Sequence, residues 1–331
     1  MYLIKKSLLL SLSVLSLTLM GCQKENATQN VATPQEKTQQ TELKTLSIGY
    51  QKASVNAVIA KENKLLEKAF PNTQIKWYEF PGGPQILEAL AVGSVDIGTT
   101  GDTPPVYAQA GGKPLNYIAY ETAKPSSSAI LIPQTSTIES LSDLKGKRVA
   151  VHRGSSSHYL LVRALQKASL NWSDIEAVWL NPADARAAFQ KGAIDAWAIW
   201  DPYYAAAELE DHAKVLTTGV SLSPNYTFYL GSNDVLKNHA SQINLILAQF
   251  SEADKWVWSH KSETIKLVAK STGLSEQVSQ RFIERRPNPS NAQLLTPQVT
   301  KDQQQLADTF AQFDLIPQSI EIQKSVWSPN E

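Results

Sequence analysis

Two stretches of this chain, AVGSVDIGTTGDTP at 91–104 and QKGAIDAWAIWDPY at 190–203, carry one pattern at a single offset. Gly93 matches Gly192, Val95 and Asp96 match Ile194 and Asp195, and Asp102 matches Asp201. Each stretch also closes a similar run of elements. In the first run, apolar periodicity predicts a strand at 46–50, a helix at 55–70 and a strand at 75–80. A helix at 84–92 and a short strand at 95–98 complete it. In the second run the order is a strand at 147–152, a helix at 157–169, a strand at 175–180, a helix at 183–191 and a strand at 194–199. Such alternation predicts an α/β fold with a largely parallel sheet, and its recurrence predicts two similar lobes. The rest of the chain reads as a strand at 226–232 and helices at 240–261, 263–272, 276–285 and 301–313. These are expected to join the first lobe, with crossings between lobes near residues 126–130 and 226.

In open α/β sheets, ligands bind beyond the carboxyl ends of the strands. Those ends nominate residues 51–54, 81–84 and 99–102 in the first lobe, and 154–158, 181–183 and 200–203 in the second.

The sequence Gly154-Ser155-Ser156-Ser157-His158 opens a predicted helix at one of these ends. A helix start presents amides without intrahelical acceptors and the positive end of the helix dipole. Glycine admits a ligand close to the backbone, and serine hydroxyls add donors. The combination suits an anion that needs no formal positive charge beside it. A plain helix cap explains one serine equally well. A serine hydrolase built on these serines and His158 is a further alternative, although the final glycine of a nucleophile elbow is missing. Asp102 and Asp201 each precede a prolyl helix start, a place for an N-cap. Trp200 is the candidate apolar wall. Arg285 and Arg286 read as a solvated surface pair. The five histidines form no HExxH motif, and no metal or cofactor is expected.

Lys+Arg and Asp+Glu are both 31 in 331 residues, so the balance of charge points to no nucleic-acid partner. The single cysteine, Cys22, rules out an internal disulfide. It follows Lys5, Lys6 and an apolar run ending in Leu19-Met20-Gly21, which reads as a lipoprotein signal peptide over residues 1–21. Residues 22–43 are then a lipidated cysteine and a polar, disordered tether. Lobe one is expected at 44–128 plus 226–331, and lobe two at 129–225.

The blocks IGYQK, WYEFPGGPQILEAL, VGSVDIGTTGDTPPVYAQA, DLKGKRVAV, GSSSHYLLVRAL and PADARAAFQKGAIDAWAIWDPYY resemble the aliphatic sulfonate-binding proteins of bacterial ABC importers. Those proteins fall within a wider sulfonate, nitrate and taurine group. The resemblance implies a two-lobed periplasmic-binding-protein fold of type II with two hinge crossings and a ligand cleft between the lobes. It implies a monomer without catalytic activity that captures a sulfonate and delivers it to a permease driven by an ATPase, for sulfur acquisition. Taurine or nitrate is the alternative ligand. Carried onto matching positions, the cleft residues are Gln51, Thr100, Gly101 and Asp102 in lobe one. In lobe two they are Gly154, Ser155, Ser156, Ser157, His158, Trp200 and Asp201. The expected location is periplasmic, with a lipid anchor at Cys22.

Overall fold

A computed structural model describes residues 43–328. The expected signal peptide, Cys22 and nearly all of the tether lie outside the described residues. The chain begins with β1 (Thr45–Tyr50), α1 (Val55–Glu62), α2 (Leu65–Ala69), β2 (Gln74–Glu79), α3 (Gly83–Ala91), β3 (Ile97–Gly101), α4 (Thr103–Ala110) and β4 (Asn116–Glu121). It crosses to β5 (Ser128–Ile132), β6 (Arg148–Val151), α5 (Ser156–Lys167), β7 (Glu176–Trp179), α6 (Pro182–Gln190), β8 (Ala196–Trp200), α7 (Tyr203–Glu210) and β9 (Lys214–Thr218). It then returns to β10 (Thr227–Gly231) and ends in α8 (Asn233–Ser259), α9 (Lys261–Thr272), α10 (Glu276–Glu284) and α11 (Pro297–Gln312).

The strands form two five-stranded sheets with the same plan, β2-β1-β3-β10-β4 and β7-β6-β8-β5-β9. In each, the fourth strand in spatial order arrives from the other lobe and runs antiparallel to its neighbours. Four strands of each sheet run in one direction and this one runs against them, so the sheets are largely parallel with one antiparallel strand. The antiparallel strand is a product of the crossing, which local periodicity does not encode. Apolar clusters cover both faces of each sheet. Ile48, Val58, Ile59 and Phe250 lie on one side of the first, and Ile86, Leu90 and Phe310 on the other. Leu160, Leu161 and Val149 flank the second, opposite Phe189, Trp197 and Ile199.

The repeat has a structural cause. Gly93 and Gly192 end α3 and α6 with φ of 74° and 67°, the left-handed region where glycine carries no Cβ penalty. Three residues on, Asp96 Oδ2 accepts the Ser47 amide at 2.7 Å and Asp195 Oδ2 accepts the Arg148 amide at 2.8 Å. Each aspartate pins the turn to the matching strand of its own lobe, β1 in the first and β6 in the second.

Three expectations need correction. The single helix at 55–70 is two helices, because Lys64 adopts a left-handed φ of 53° between them. The strand at 95–98 lies later, at β3. Thr100 and Gly101 are extended because they pair with Phe228 and Thr227 of β10. The helix expected at 240–261 is preceded by a short helical segment from Asn233, capped where the Ser232 hydroxyl accepts the Val235 amide at 3.2 Å, and the two join at a kink where His239 is non-helical at φ −135° and ψ 25°.

Candidate ligand-binding site

The ends of β1, β3, β6 and β8 meet between the lobes, and the two crossings close the back of the cleft. The Lys124 amide on the first crossing donates to the Pro224 carbonyl on the second at 3.0 Å. The lobes are closed on each other and leave a space of about 40 Å³. That is several times the roughly 10–15 Å³ that one water requires, so it suits a headgroup and not a large ligand. Gln51, Gly101, Ser155, Ser156, Trp200 and Asp201 line it, together with Lys124 and Thr227 from the crossings. Gln51, Ala53 and Trp200 also border a second small space, walled by Phe80, Pro81 and Tyr203. Trp200 therefore borders both spaces.

The start of α5 presents its donors unequally. Gly154, at φ 71°, turns the chain out of β6. The Ser155 hydroxyl accepts the His158 amide at 3.3 Å and donates to the His152 carbonyl at 2.7 Å. Both bonds serve the backbone, so Ser155 is the helix cap. Ser156 and Ser157 occupy the first two helical positions, where amides have no partner inside a helix. The Ser156 side chain reaches across to Gly101, where a Cβ would collide with its hydroxyl. The Ser157 hydroxyl is buried behind the space and has no partner among the described residues.

His158 faces away from the space. Its ring is fully buried, packed against Trp172, Trp179 and Phe310 with centroids 4.8, 5.1 and 5.0 Å away. Nδ1 lies 3.2 Å from the Tyr107 hydroxyl of lobe one and accepts the Gly154 amide at 3.4 Å. Burial pushes its pKa down to about 3, with the Arg153 charge adding to the effect, so the ring is neutral. None of Ser155, Ser156 and Ser157 pairs with this ring. A nucleophile and base pair is therefore not formed there.

Thr100, Asp102 and Gly154 also lie outside the lining of the space. Asp102 stands at the N-cap position of α4 but makes no side-chain cap bond. The reason is local: the next-but-one positions are Pro104 and Pro105, which have no amide to offer. Its carboxyl is fully buried. Burial raises its pKa, opposed first by the Ser156 hydroxyl and then by the Thr103 hydroxyl and amide. Asp201 does reach a helix amide, accepting from Ala205 at 3.0 Å. It also takes Arg285 at 3.0 Å, yet burial still pushes its pKa up to about 7.

Two basic features escape the sequence reading. Arg285 and Arg286 are not a solvated surface pair. Arg285 bridges from lobe one to Asp201 and Glu208 of lobe two, and its guanidinium lies 3.6 Å from the centroid of the Tyr204 ring. Arg286 is buried with Asp254 and Asn56 inside lobe one. Lys124 lines the space itself, its ammonium bonded to the Thr227 hydroxyl and 3.4 Å from Glu121. The one local signal for it is the Glu121-x-x-Lys124 step just before Pro125, at a crossing. Among the described residues no cluster of His, Cys, Asp and Glu could hold a metal ion, and no helix is long and apolar enough to cross a membrane.

Comparison with known proteins agrees with this geometry. A family model described as NMT1/THI5 like matches residues 75–263. A relative from Escherichia coli (strain K12), described as an aliphatic sulfonates-binding protein, is 46% identical over 286 residues, covering 86% of this chain and 89% of the relative. The crystal structure of the periplasmic aliphatic sulphonate binding protein from Escherichia coli superposes with a TM-score of 0.80 at 46% identity, covering 86% of this chain and 92% of that one. The alkanesulfonate-binding protein from Xanthomonas axonopodis pv. citri bound to MOPS gives 0.83 at 42% identity, covering 87% and 99%.

Proposed function

From the premise that this chain belongs to the aliphatic sulfonate-binding proteins of the NMT1/THI5-like family, we propose that it captures aliphatic sulfonates in the cleft between its lobes. It is a binding protein and not an enzyme. Residues 44–128 with 226–331 act as one lobe and 129–225 as the other, closing about the two crossings. The loaded protein is a periplasmic monomer that hands its ligand to an ABC permease and its ATPase for sulfur acquisition. A lipid on Cys22 holds it to a membrane.

One observation carries the ligand reading. The unpartnered amides at the start of α5 lie where Gly101 and Gln51 of the opposite lobe close over them, with Trp200 beside them. A sulfonate stays ionised at any ordinary pH, so its site requires fixed donors rather than a titrating partner. Each hydrogen bond to such a charged group contributes about 1.5–3 kcal/mol, and the closed lobes exclude the water that would screen it. The apolar tail then follows Trp200 toward Phe80 and Tyr203.

Calorimetric titration with linear alkanesulfonates, taurine, sulfate and nitrate tests this reading. Binding of alkanesulfonates above the others is expected. A protein that binds none of the sulfonates would refute it, and binding of taurine alone would move the ligand to the neighbouring group. For the anchor, Cys22→Ala is expected to release the protein from the membrane fraction of the cell, and unchanged membrane association would exclude the lipid.

A further inference from the structure

We propose that Lys124 donates a charged hydrogen bond to the bound anion, so that the site does hold a formal positive charge. The proposal rests on reading the space between the lobes as the anion site.

Of the residues lining that space, Lys124 alone carries a side-chain cation and Asp201 alone a carboxylate. The carboxylate is already matched by Arg285 at 3.0 Å and the Ala205 amide at 3.0 Å. The ammonium is matched less well. An ammonium has three donors. The Thr227 hydroxyl takes one, and Glu121 takes another at 3.4 Å. Glu121 is itself heavily shared. Its Oε1 accepts from Asn56 at 2.9 Å and from the Tyr229 hydroxyl at 2.7 Å, and its Oε2 also faces Arg286 at 3.9 Å. The third donor of Lys124 is left for the space that its side chain lines.

The neighbours define the electrostatics. Glu121 of β4, Arg286 after α10 and Asp102 after β3 all act on Lys124. Burial lowers its pKa; Glu121 pulls it back up and Arg286 pushes it down. An anion entering the space would favour the charged ammonium and compete with Glu121 for it. Binding should therefore weaken as pH rises through the lowered pKa of Lys124, where the free protein loses this proton.

The test is calorimetric titration of the full chain with butanesulfonate. Wild type binding at pH 7 comes first, because a wild type that binds no sulfonate refutes the function and this proposal together. Given wild-type binding, Lys124→Met is expected to bind at least 30-fold more weakly. Lys124→Arg should stay within about fivefold of wild type. Wild-type affinity should fall as pH rises toward the ordinary lysine range, and Lys124→Arg should show no such fall. Glu121→Gln should make affinity fall at lower pH than in wild type, since it removes the carboxylate that holds the ammonium charged while its amide oxygen still accepts from Asn56 and Tyr229. A lysine that merely braces the crossings would lower thermal stability in Lys124→Met without producing the pH dependence of binding or its shift in Glu121→Gln. Should Lys124→Met not fold, Lys124→Met with Glu121→Gln removes both buried charges and carries the same expected loss. Unchanged affinity in whichever of these variants folds overturns the proposal while leaving the sulfonate reading intact.

Discussion

Nη1 of Arg285 lies 3.0 Å from Oδ1 of Asp201, so a guanidinium carried by lobe one neutralises a carboxylate that lines the ligand space from lobe two. The same guanidinium bonds Glu208 of α7 at 2.5 Å, and its chain neighbour on α10, Arg281, takes Glu208 at 3.2 Å. Val278 of α10 packs on Ala205 and Ala206 beneath them. This contact ties lobe one to lobe two beside the ligand space.

Arg285→Ala should therefore destabilise the closed protein by about 2–3 kcal/mol, because it leaves Asp201 buried without its cation. The sign of the pH effect follows from the carboxyl. Its folded pKa of about 7 already lies above the unfolded value, so its stabilising contribution is present below pH 4 and is lost as pH rises through 7. Without Arg285 the folded pKa rises further. The cost of Arg285→Ala should then be small at pH 5, where the carboxyl is protonated, and larger at pH 8. Urea unfolding of both proteins at the two pH values measures it, and an equal cost at both would contradict the argument.

Gly101 offers a second test, of lobe closure. A Cβ there would collide with the Ser156 hydroxyl from the facing lobe. Gly101→Ala should hold the lobes slightly apart and weaken sulfonate binding about tenfold or more. The effect on the stability of each lobe should be small, since no positive φ is involved. Ser156→Ala added to Gly101→Ala removes the colliding oxygen and should recover part of the affinity. Small-angle scattering with and without ligand would report whether closure itself is restored.

Ser155 and Ser156 should separate by readout. Ser155→Ala removes the cap of α5 and should cost about 1 kcal/mol of stability, with little direct effect on binding. Ser156→Ala removes no cap and should weaken binding, while its stability cost should come only through the buried Asp102 carboxyl that loses this hydroxyl and should therefore be smaller at acid pH. Paired melting and titration experiments on the two variants distinguish a capping serine from one that faces ligand.

These residues also show what the sequence could convey. The turns at Gly93 and Gly192 are local, so the repeat exposes them directly, and the aspartates recur with them although their partners Ser47 and Arg148 lie 49 and 47 residues back. The start of α5 is legible for the same reason, because glycine and serines must act on the next few amides. Lys124 and Arg285 are not, since their partners lie 103 and 84 residues away, at Thr227 and Asp201. Their placement depends on a chain that leaves one lobe and returns, and no short window carries that information. Asp102 and Asp201 make the point sharply. They match in sequence, yet two prolines deny the first a cap while the second has Ala205 and a guanidinium from the other lobe.

His158 predicts an acid sensitivity. Burial among Trp172, Trp179 and Phe310 lowers its pKa to about 3, below the unfolded value near 6.5. A lowered pKa means that its contribution is present above pH 6.5 and is lost as pH falls toward 3. At about 1.4 kcal/mol per unit, the loss by pH 5 is about 2 kcal/mol. His158→Phe keeps the aromatic packing and cannot be protonated. It should be less stable than wild type at pH 8, where it lacks the bonds to Tyr107 and Gly154, and should lose that disadvantage by about pH 5. Denaturation curves at both pH values decide it, and a gap that stays constant would show that the ring titrates normally.

Trp200 sets how the site measures its ligand. It borders the headgroup space and the second space toward Phe80 and Tyr203, and it is held edge-on by His152 and Tyr203 at 6.2 and 6.5 Å between centroids. A tail lying along this ring gains about 0.8 kcal/mol for each methylene it buries, roughly fourfold in affinity. Wild-type affinity should therefore rise with chain length over the first few carbons and level off where the tail passes Phe80. Trp200→Ala removes the wall without touching the amides of α5. It should weaken short and long sulfonates unequally, with methanesulfonate nearly unchanged and hexanesulfonate losing most of its advantage. Calorimetry across the series in both proteins gives the two slopes. Parallel slopes would mean that the tail leaves the cleft by another path, and that Trp200 serves only the packing of lobe two.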